Sequence, residues 1–369
     1  MYDIVVQVQP SWLPKELATE HKRISLGSLP TRIHPWRLPA ELLPPELGVQ
    51  MYVKRDDHSG SEMSGNKVRK LEYILADALA KGADTVVTLG GIQSNHCRAT
   101  VAAANTLGLE AHVVLRTSRL AVGEDPGFAG NLLVSRLSNA QIHLVTKEEY
   151  AQHGQAELGR HVVQELRSQG KSPYLIVVGG SSALGTYGYI NMVEELGMQH
   201  QDGSRPFDKL VVACGSGGTV AGIALGLDAH PLFRGTTTLD AVMVCDNEEY
   251  FKEYIADLYK ELGLEEARAR DVLERTTTFI QGKGSGYAIP RDEELDTLIS
   301  IAAESSIALD PTYTGKAMHY WLQHVRENAD KYRGKNVLFV HTGGISSLHG
   351  CEAVERRLRG GSRAQRLVL

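Results

Sequence analysis

Apolar residues along this chain recur in two alternating rhythms: short β-branched runs, and longer stretches with apolar positions three and four apart. Leu71, Ile74, Leu75, Ala78 and Leu79 keep the second rhythm and predict a helix that starts near Lys67 and ends near Lys81-Gly82, with Asn66 as its N-cap. TVVTLGG (85–91) predicts a strand, and SNHCRATVAAANTLG (94–108) a helix capped by Ser94 and closed by Gly108. AHVVL (111–115) and QIHLV (141–145) read as strands on either side of a helix at 131–139. One long helix is predicted over 149–170, and YLIVVGGSS (174–182) closes the set. After Ala183 the rhythm restarts with a helix at 185–199, a strand, glycine loop and helix over 209–229, a strand at 238–246 and a helix at 248–263. Helices at 292–306 and 315–329 and a strand at 336–344 complete it.

Alternation of this kind predicts an α/β fold with mostly parallel, open twisted sheets and helices on both faces. The restart divides the chain into two lobes: 70–182 as a smaller inserted α/β domain, and 1–69 with 183–369 as the larger one. A ligand belongs in the cleft between them, at the C-terminal ends of strands. Residues 1–50 are rich in proline and read as an extended lead-in over a domain surface, before a short strand in MYVKRDD (51–57).

Composition narrows the function. A chain of 369 residues, 42% hydrophobic, with net charge −5 and no basic stripe, points away from nucleic acid and membrane lipid. Cys97, Cys214, Cys245 and Cys351 are scattered with no C-x-x-C pair, which gives neither a disulfide framework nor a metal site and fits a reducing compartment. The N-terminus lacks a secretory pattern and no apolar run approaches a membrane span, so the expectation is a cytoplasmic protein. The 37 glycines sit in clusters, as they do where backbone closes on a ligand.

Those clusters hold the candidate chemistry. SGNKVRKLEY (64–73) puts Lys67 just inside a helix start, where the positive end of the helix dipole lowers an amine's pKa and suits it to attack a carbonyl or take a proton. The bland alternative is a surface lysine in a turn that also holds Arg69 and Lys70. CGSGGTVAG (214–222) runs from a strand through Gly215, Ser216, Gly217, Gly218 and Thr219 into a helix. It lacks the Walker ending, and Val220 stands where the dinucleotide fingerprint needs glycine, so a single small phosphate fits best. A ligand-free tight turn is the other reading. GGIQSNH (90–96) offers Ser94 and Asn95 at a helix start for a carboxylate or ring substituent, with His96 adjacent; a plain helix cap has the same form. Tyr287 in GKGSGYAIP (282–290) and Tyr313 in LDPTYTGKAM (309–318) sit on loops where a hydroxyl can relay a proton or simply plug a gap, and HTGG (341–344) leaves Thr342 at a strand end. One cofactor, pyridoxal 5′-phosphate, unites a reactive lysine, a single-phosphate cup and polar strand ends.

In their order, SGNKVRKLEY, GGIQSNH, GSGGT, GYAIP, DPTYTGKAM and HTGG resemble the D-cysteine desulfhydrase and 1-aminocyclopropane-1-carboxylate (ACC) deaminase family of the tryptophan-synthase-β-like, fold type II pyridoxal phosphate enzymes, over roughly residues 20 to 350. The resemblance implies that Lys67 bonds the cofactor aldehyde, Ser94 faces the substrate, Asn95 partners the ring hydroxyl and Gly215–Thr219 hold the phosphate. It makes Tyr287 and Tyr313 the active-site tyrosines, and it brings His96 and Thr314 toward a small amino-acid substrate. ACC deaminases carry glutamate after the second tyrosine and leucine in the histidine-x-Gly-Gly segment. Thr314 and Thr342 occupy those positions here and match the desulfhydrase pattern, in which the pyridine nitrogen stays neutral. The implied activity is α,β-elimination of D-cysteine to pyruvate, hydrogen sulfide and ammonia by a homodimer. A related elimination from cysteate, D-serine or chloroalanine, and ACC deamination, are the alternatives.

Overall fold

The structure, a computed structural model, describes residues 3–7, 9–117, 125–200 and 206–359. Its strands are β1 (Ile4–Gln7), β2 (His21–Ile24), β3 (Ile33–Pro35), β4 (Gln50–Lys54), β5 (Thr85–Gly91), β6 (Glu110–Thr117), β7 (Gln141–Thr146), β8 (Pro173–Ile176), β9 (Lys209–Cys214), β10 (Thr238–Met243), β11 (Thr277–Gln281) and β12 (Asn336–Val340). They form a four-stranded sheet of order β7-β6-β5-β8, parallel throughout, and a six-stranded sheet of order β11-β10-β9-β12-β4-β3. The second sheet is parallel except for β3, which pairs antiparallel with β4 at its edge. This is the expected α/β architecture.

The central strands are apolar on both faces because helices cover both. On one face of the six-stranded sheet, Tyr189, Ile223, Phe251 and Val272 from four helices pack on Leu210 and Val212. On the other, Leu298 and Trp321 from helices Asp292–Ser305 and Thr314–Glu327 pack on Val211 and Phe339. The buried carboxylate of Asp240 accepts from Trp321 Nε1 at 3.0 Å and from the Tyr332 hydroxyl at 2.6 Å. The four-stranded sheet holds helices Lys67–Ala80 and Asn95–Thr106 on one face through Leu71, Ile74 and Val101, and Lys147–Ser168 on the other through Val162 and Leu166.

Four features differ from the sequence reading. The lead-in carries strands: β1 and β2 form an antiparallel hairpin, and β3 joins the large sheet; Met1, Tyr2 and Val8 of that segment lie outside the described residues. The long helix starts at a Thr146/Glu149 capping box but is interrupted at Gly154, whose φ of 73° is non-helical. A helix at Glu266–Thr276 leads directly into β11, and a helix at Glu352–Arg359 ends the described chain; neither stands out by periodicity. The lysine helix runs through position 69/70, where the lobes were divided, so it belongs to both cores.

Candidate active site

The C-terminal ends of β5, β9, β10 and β12 converge on a cavity of about 530 Å³. Lys67, Ser94, Asn95, His96, Gly215, Ser216, Gly217, Thr219, Tyr287, Tyr313 and Thr342 all line it. Segments far apart in sequence thus meet at one place, and that place is the ligand position of open parallel sheets.

Lys67 opens its helix, but Asn66 does not cap it. Asn66 is in the helical region and makes no capping bond; its Nδ2 donates to Thr219 Oγ1 at 3.0 Å, and its backbone N–H donates to the Thr342 carbonyl at 3.1 Å. The loop before Lys67 is thereby stitched to the glycine loop and to the end of β12. Lys67 lines the cavity and is half-buried there. That burial pushes its amine down to about 8, the nearby Cys97 thiol opposing slightly. Its Nζ donates to the Gly179 carbonyl at 3.3 Å.

The two cations that follow are not surface residues, contrary to the bland reading. Arg69 is locked between Asp56 (2.8 Å) and Glu195 (2.8 Å), with Lys54 also on Glu195 at 2.6 Å. Lys70 is fully buried, and its Nζ donates at 3.3 Å to both the Gly179 carbonyl and Ser181 Oγ. Burial, and then the charge of Lys67, push the Lys70 amine well below its ordinary value. Among the described residues this amine has two long, neutral partners and no anion; an anion placed beside it would favour its charged form.

The anion's place is set by two glycine turns packed against each other. Gly217, at φ 80°, turns the chain into helix Gly218–Ala229. Ser216 Oγ lies 2.8 Å from Ser181 Oγ, to which the Gly218 N–H donates at 3.3 Å, and the Tyr254 hydroxyl donates to the Ser181 carbonyl at 2.7 Å. A Cβ at Gly218 would lie 2.7 Å from Ser181 Oγ, so this approach admits only glycine. Helix N–H groups and the Ser216 and Thr219 hydroxyls make a donor set sized for one phosphate, with the Lys70 amine buried behind the turn. With Lys67 on the same cavity, the residues fit pyridoxal 5′-phosphate. Gly218 lies behind the lining as the turn's packing point. The Gly179–Ser181 turn and Lys70 escaped the sequence reading: GGSS resembles any loop, and Lys70 any helix-surface lysine.

Ser94 caps its helix, accepting from Cys97 N at 3.1 Å. Asn95 Oδ1 accepts from Asn131 Nδ2 at 2.9 Å, which orients the amide. Thr88 spends its hydroxyl proton on the Ile176 carbonyl, so the 2.9 Å contact of His96 Nε2 with Thr88 Oγ1 makes that ring nitrogen the donor. Burial, followed by the charges of Lys67 and Lys70, holds His96 neutral. The Tyr287 and Tyr313 hydroxyls are hydrogen-bonded to each other, with ring centroids 5.9 Å apart. Burial raises both, Tyr313 strongly, so both remain proton donors. Thr314, like Gly218, is placed off the cavity: fully buried, its hydroxyl donates to Asp310 Oδ1 at 2.7 Å and accepts from Asp310 N at 2.8 Å. The mouth adds Arg116, Tyr150, Asp246, Tyr250 and Lys283, and Asp246 is the sole carboxylate among the described lining residues. Among the described residues no cluster suits a metal ion and no helix is long and apolar enough to cross a membrane.

Parallel sheets, an enclosed lysine and a single-phosphate cup in one cleft define an enzyme that works through an aldehyde cofactor. The family described as pyridoxal-phosphate dependent enzyme matches residues 24–343, and the chain belongs to it. Its cofactor is pyridoxal 5′-phosphate, and its fold is the fold type II arrangement expected. The bifunctional D-cysteine desulfhydrase/1-aminocyclopropane-1-carboxylate deaminase of Arabidopsis thaliana, a mitochondrial protein, is 44% identical, over 92% of this chain and 82% of the relative. The D-cysteine desulfhydrase of Serratia proteamaculans is 37% identical over 82% and 88%, and a putative ACC deaminase of Pyrococcus horikoshii is 37% identical over 85% and 90%. A crystal structure of an ACC deaminase homologue superposes with a TM-score of 0.76 at 32% identity, covering 94% of this chain and 99% of that one.

Proposed function

We propose that this enzyme is a lyase that eliminates the β-thiol of D-cysteine, giving pyruvate, hydrogen sulfide and ammonia with uptake of one water. One observation carries the choice of reaction: no carboxylate lies inside the cavity among the described residues, Asp246 being exposed at its rim and Thr314 turned away to Asp310. Bound pyridoxal phosphate acidifies the Cα–H of an amino acid by withdrawing electrons, and most strongly when an acid keeps its ring nitrogen protonated. Without such an acid the chemistry favours a substrate whose leaving group accepts the electrons. Thiolate does so; the cyclopropane ring of ACC does not.

The chain's own residues supply the rest. Ser94 and the free N–H groups of its helix orient the substrate carboxylate. The Lys67 amine, held near 8, is basic enough to take the Cα proton and neutral often enough to do it at physiological pH. The Tyr287–Tyr313 pair keeps a proton for the departing sulfur. Glycine turns from both lobes, 70–182 and 1–69 with 183–369, clamp the phosphate. ACC deamination is the second reading, favoured by the paired name of the plant relative.

The test is a release assay over both enantiomers of cysteine, cysteate and serine, with ACC alongside, reading pyruvate, sulfide and 2-oxobutanoate. Sulfide and pyruvate from D-cysteine, with ACC nearly untouched, is the expected result. Strong 2-oxobutanoate release from ACC would overturn the choice. The reading also carries a homodimer, tested by sedimentation velocity, and a cytoplasmic setting, which the free thiols of all four cysteines support.

A further inference from the structure

Tyr287 rides on a loop with little packing of its own. Gly284 and Gly286 take φ of +59° and +144°, and Ala288, a non-glycine residue, takes +58°. Ala288 and Ile289 are exposed. Yet the Tyr287 hydroxyl meets Tyr313 on a different element. The loop therefore needs an anchor outside itself, and one buried ion pair touches both of its ends.

Lys316 Nζ and the Glu294 carboxylate pair at 2.9 Å with exposures of 0% and 1%. Lys316 Nζ also donates to the Lys283 carbonyl at 3.0 Å, where the loop begins. Glu294 Oε2 accepts from the Arg291 backbone N–H at 3.0 Å, where the loop ends, and Tyr320 donates its hydroxyl to Glu294 Oε1 at 2.8 Å. The Gly284 backbone lies directly on the group: a Cβ there would be 2.6 Å from the Tyr320 hydroxyl and 3.0 Å from Lys316 Nζ. Lys316 stands three residues after Tyr313 at the start of the same helix.

A buried ion pair is poor value as a stabiliser, since two well-packed apolar residues would join these helices as firmly without desolvating charges. What apolar residues cannot do is satisfy both the Lys283 carbonyl and the Arg291 N–H, at the two ends of the loop. We infer that Glu294 and Lys316 are positioning residues that act through Tyr287, holding its loop so that its hydroxyl reaches Tyr313. The inference rests on the reading of this cavity as the active site; its first readout is independent of activity.

The experiment uses the cofactor-loaded enzyme and whichever substrate the unmodified protein turns over. In Lys316→Met, hydrogen exchange should quicken in the segment 282–291, while borohydride still fixes the cofactor on Lys67. Turnover should fall roughly 10- to 100-fold, as expected for about 1 Å of misplacement, with KM little changed. Combined with Tyr287→Phe, the loss should be no greater than Tyr287→Phe causes alone, because both act through one hydroxyl. Tyr320→Phe, which removes one hydroxyl and endangers the fold least, should show the same pattern in smaller measure. Unchanged exchange in 282–291, or losses that multiply in the double variant, would overturn the inference. A wild-type enzyme inert toward D-cysteine would sink the substrate proposal alone, since the exchange result would still judge the clamp.

Discussion

At the scale of single residues, the chemistry turns on how protein surroundings reset ordinary side chains. The amine of Lys67, lowered to about 8 by enclosure, should give cofactor capture a distinctive pH profile. With cofactor-free protein, the rate of capture should rise about tenfold per pH unit below that value and level off above it, because only the neutral amine attacks. Stopped-flow absorbance between pH 6 and 10 reads this; a rise continuing past pH 9.5 would mean an unperturbed lysine. Thr219 both faces the cup and accepts from Asn66. Thr219→Ala should remove a charge-assisted bond worth roughly 1.5–3 kcal/mol and weaken cofactor affinity about ten- to a hundred-fold, measured by titration at constant pH. The motif residues were legible because glycine, lysine and tyrosine in loops at strand ends carry recognisable chemistry. Lys70 and Ser181 were not, since nothing local distinguishes a lysine that a distant turn will bury. Thr314 shows the converse: its place in a motif suggested the pocket, and the nearby Asp310 carboxylate claimed its hydroxyl instead.

At the scale of elements, the lysine helix is held by a buried charge in its first turn, Arg69. Burial alone would raise the Asp56 carboxyl, but the Arg69 guanidinium outweighs it and holds the group at about 2. A carboxyl depressed from 3.8 in this way contributes stability present above the unfolded value and lost as pH falls toward 2, roughly 2–3 kcal/mol in all. Urea midpoints should therefore decline between pH 4 and 2, and Asp56→Asn should flatten this part of the decline. Arg69→Met, which strips buried Asp56 of its ion-pair partner and leaves Glu195 with Lys54, should cost about 3–5 kcal/mol at pH 7. The elements themselves followed from periodicity wherever a strand is buried on both faces and bounded by glycine, as TVVTLGG is over Thr85–Gly91. Periodicity failed where an element is short or half-exposed. β1 and β3, with four and three residues, exist because neighbouring chain accepts their hydrogen bonds, and the helix Glu266–Thr276 passes into β11 with no breaker between them.

At the scale of the whole molecule, the two sheets have separate cores, and the cup draws on both. Gly179–Ser181 follow β8 of the four-stranded sheet, Gly215–Thr219 follow β9 of the six-stranded one, and Lys67 stands on the helix shared by their cores. A phosphate held there replaces like-charge repulsion between Lys67 and Lys70 with attraction from both sides of the cleft. Cofactor removal should consequently destabilise the entire protein and not one lobe. Bound ligand at 100 times its dissociation constant adds about 2.7 kcal/mol, so cofactor-free protein should melt several degrees lower in calorimetry. Two variants separate the sources of this effect. Lys67→Ala keeps the cup and should retain much of the cofactor-induced shift while losing borohydride labelling and turnover. Lys70→Met removes the buried cation the phosphate would neutralise, so its cofactor-free form should be more stable than the parent's and its gain on loading smaller. A shift that survives Lys70→Met undiminished would mean that the glycine turns and helix N–H groups hold the phosphate without help from the ammonium buried behind them.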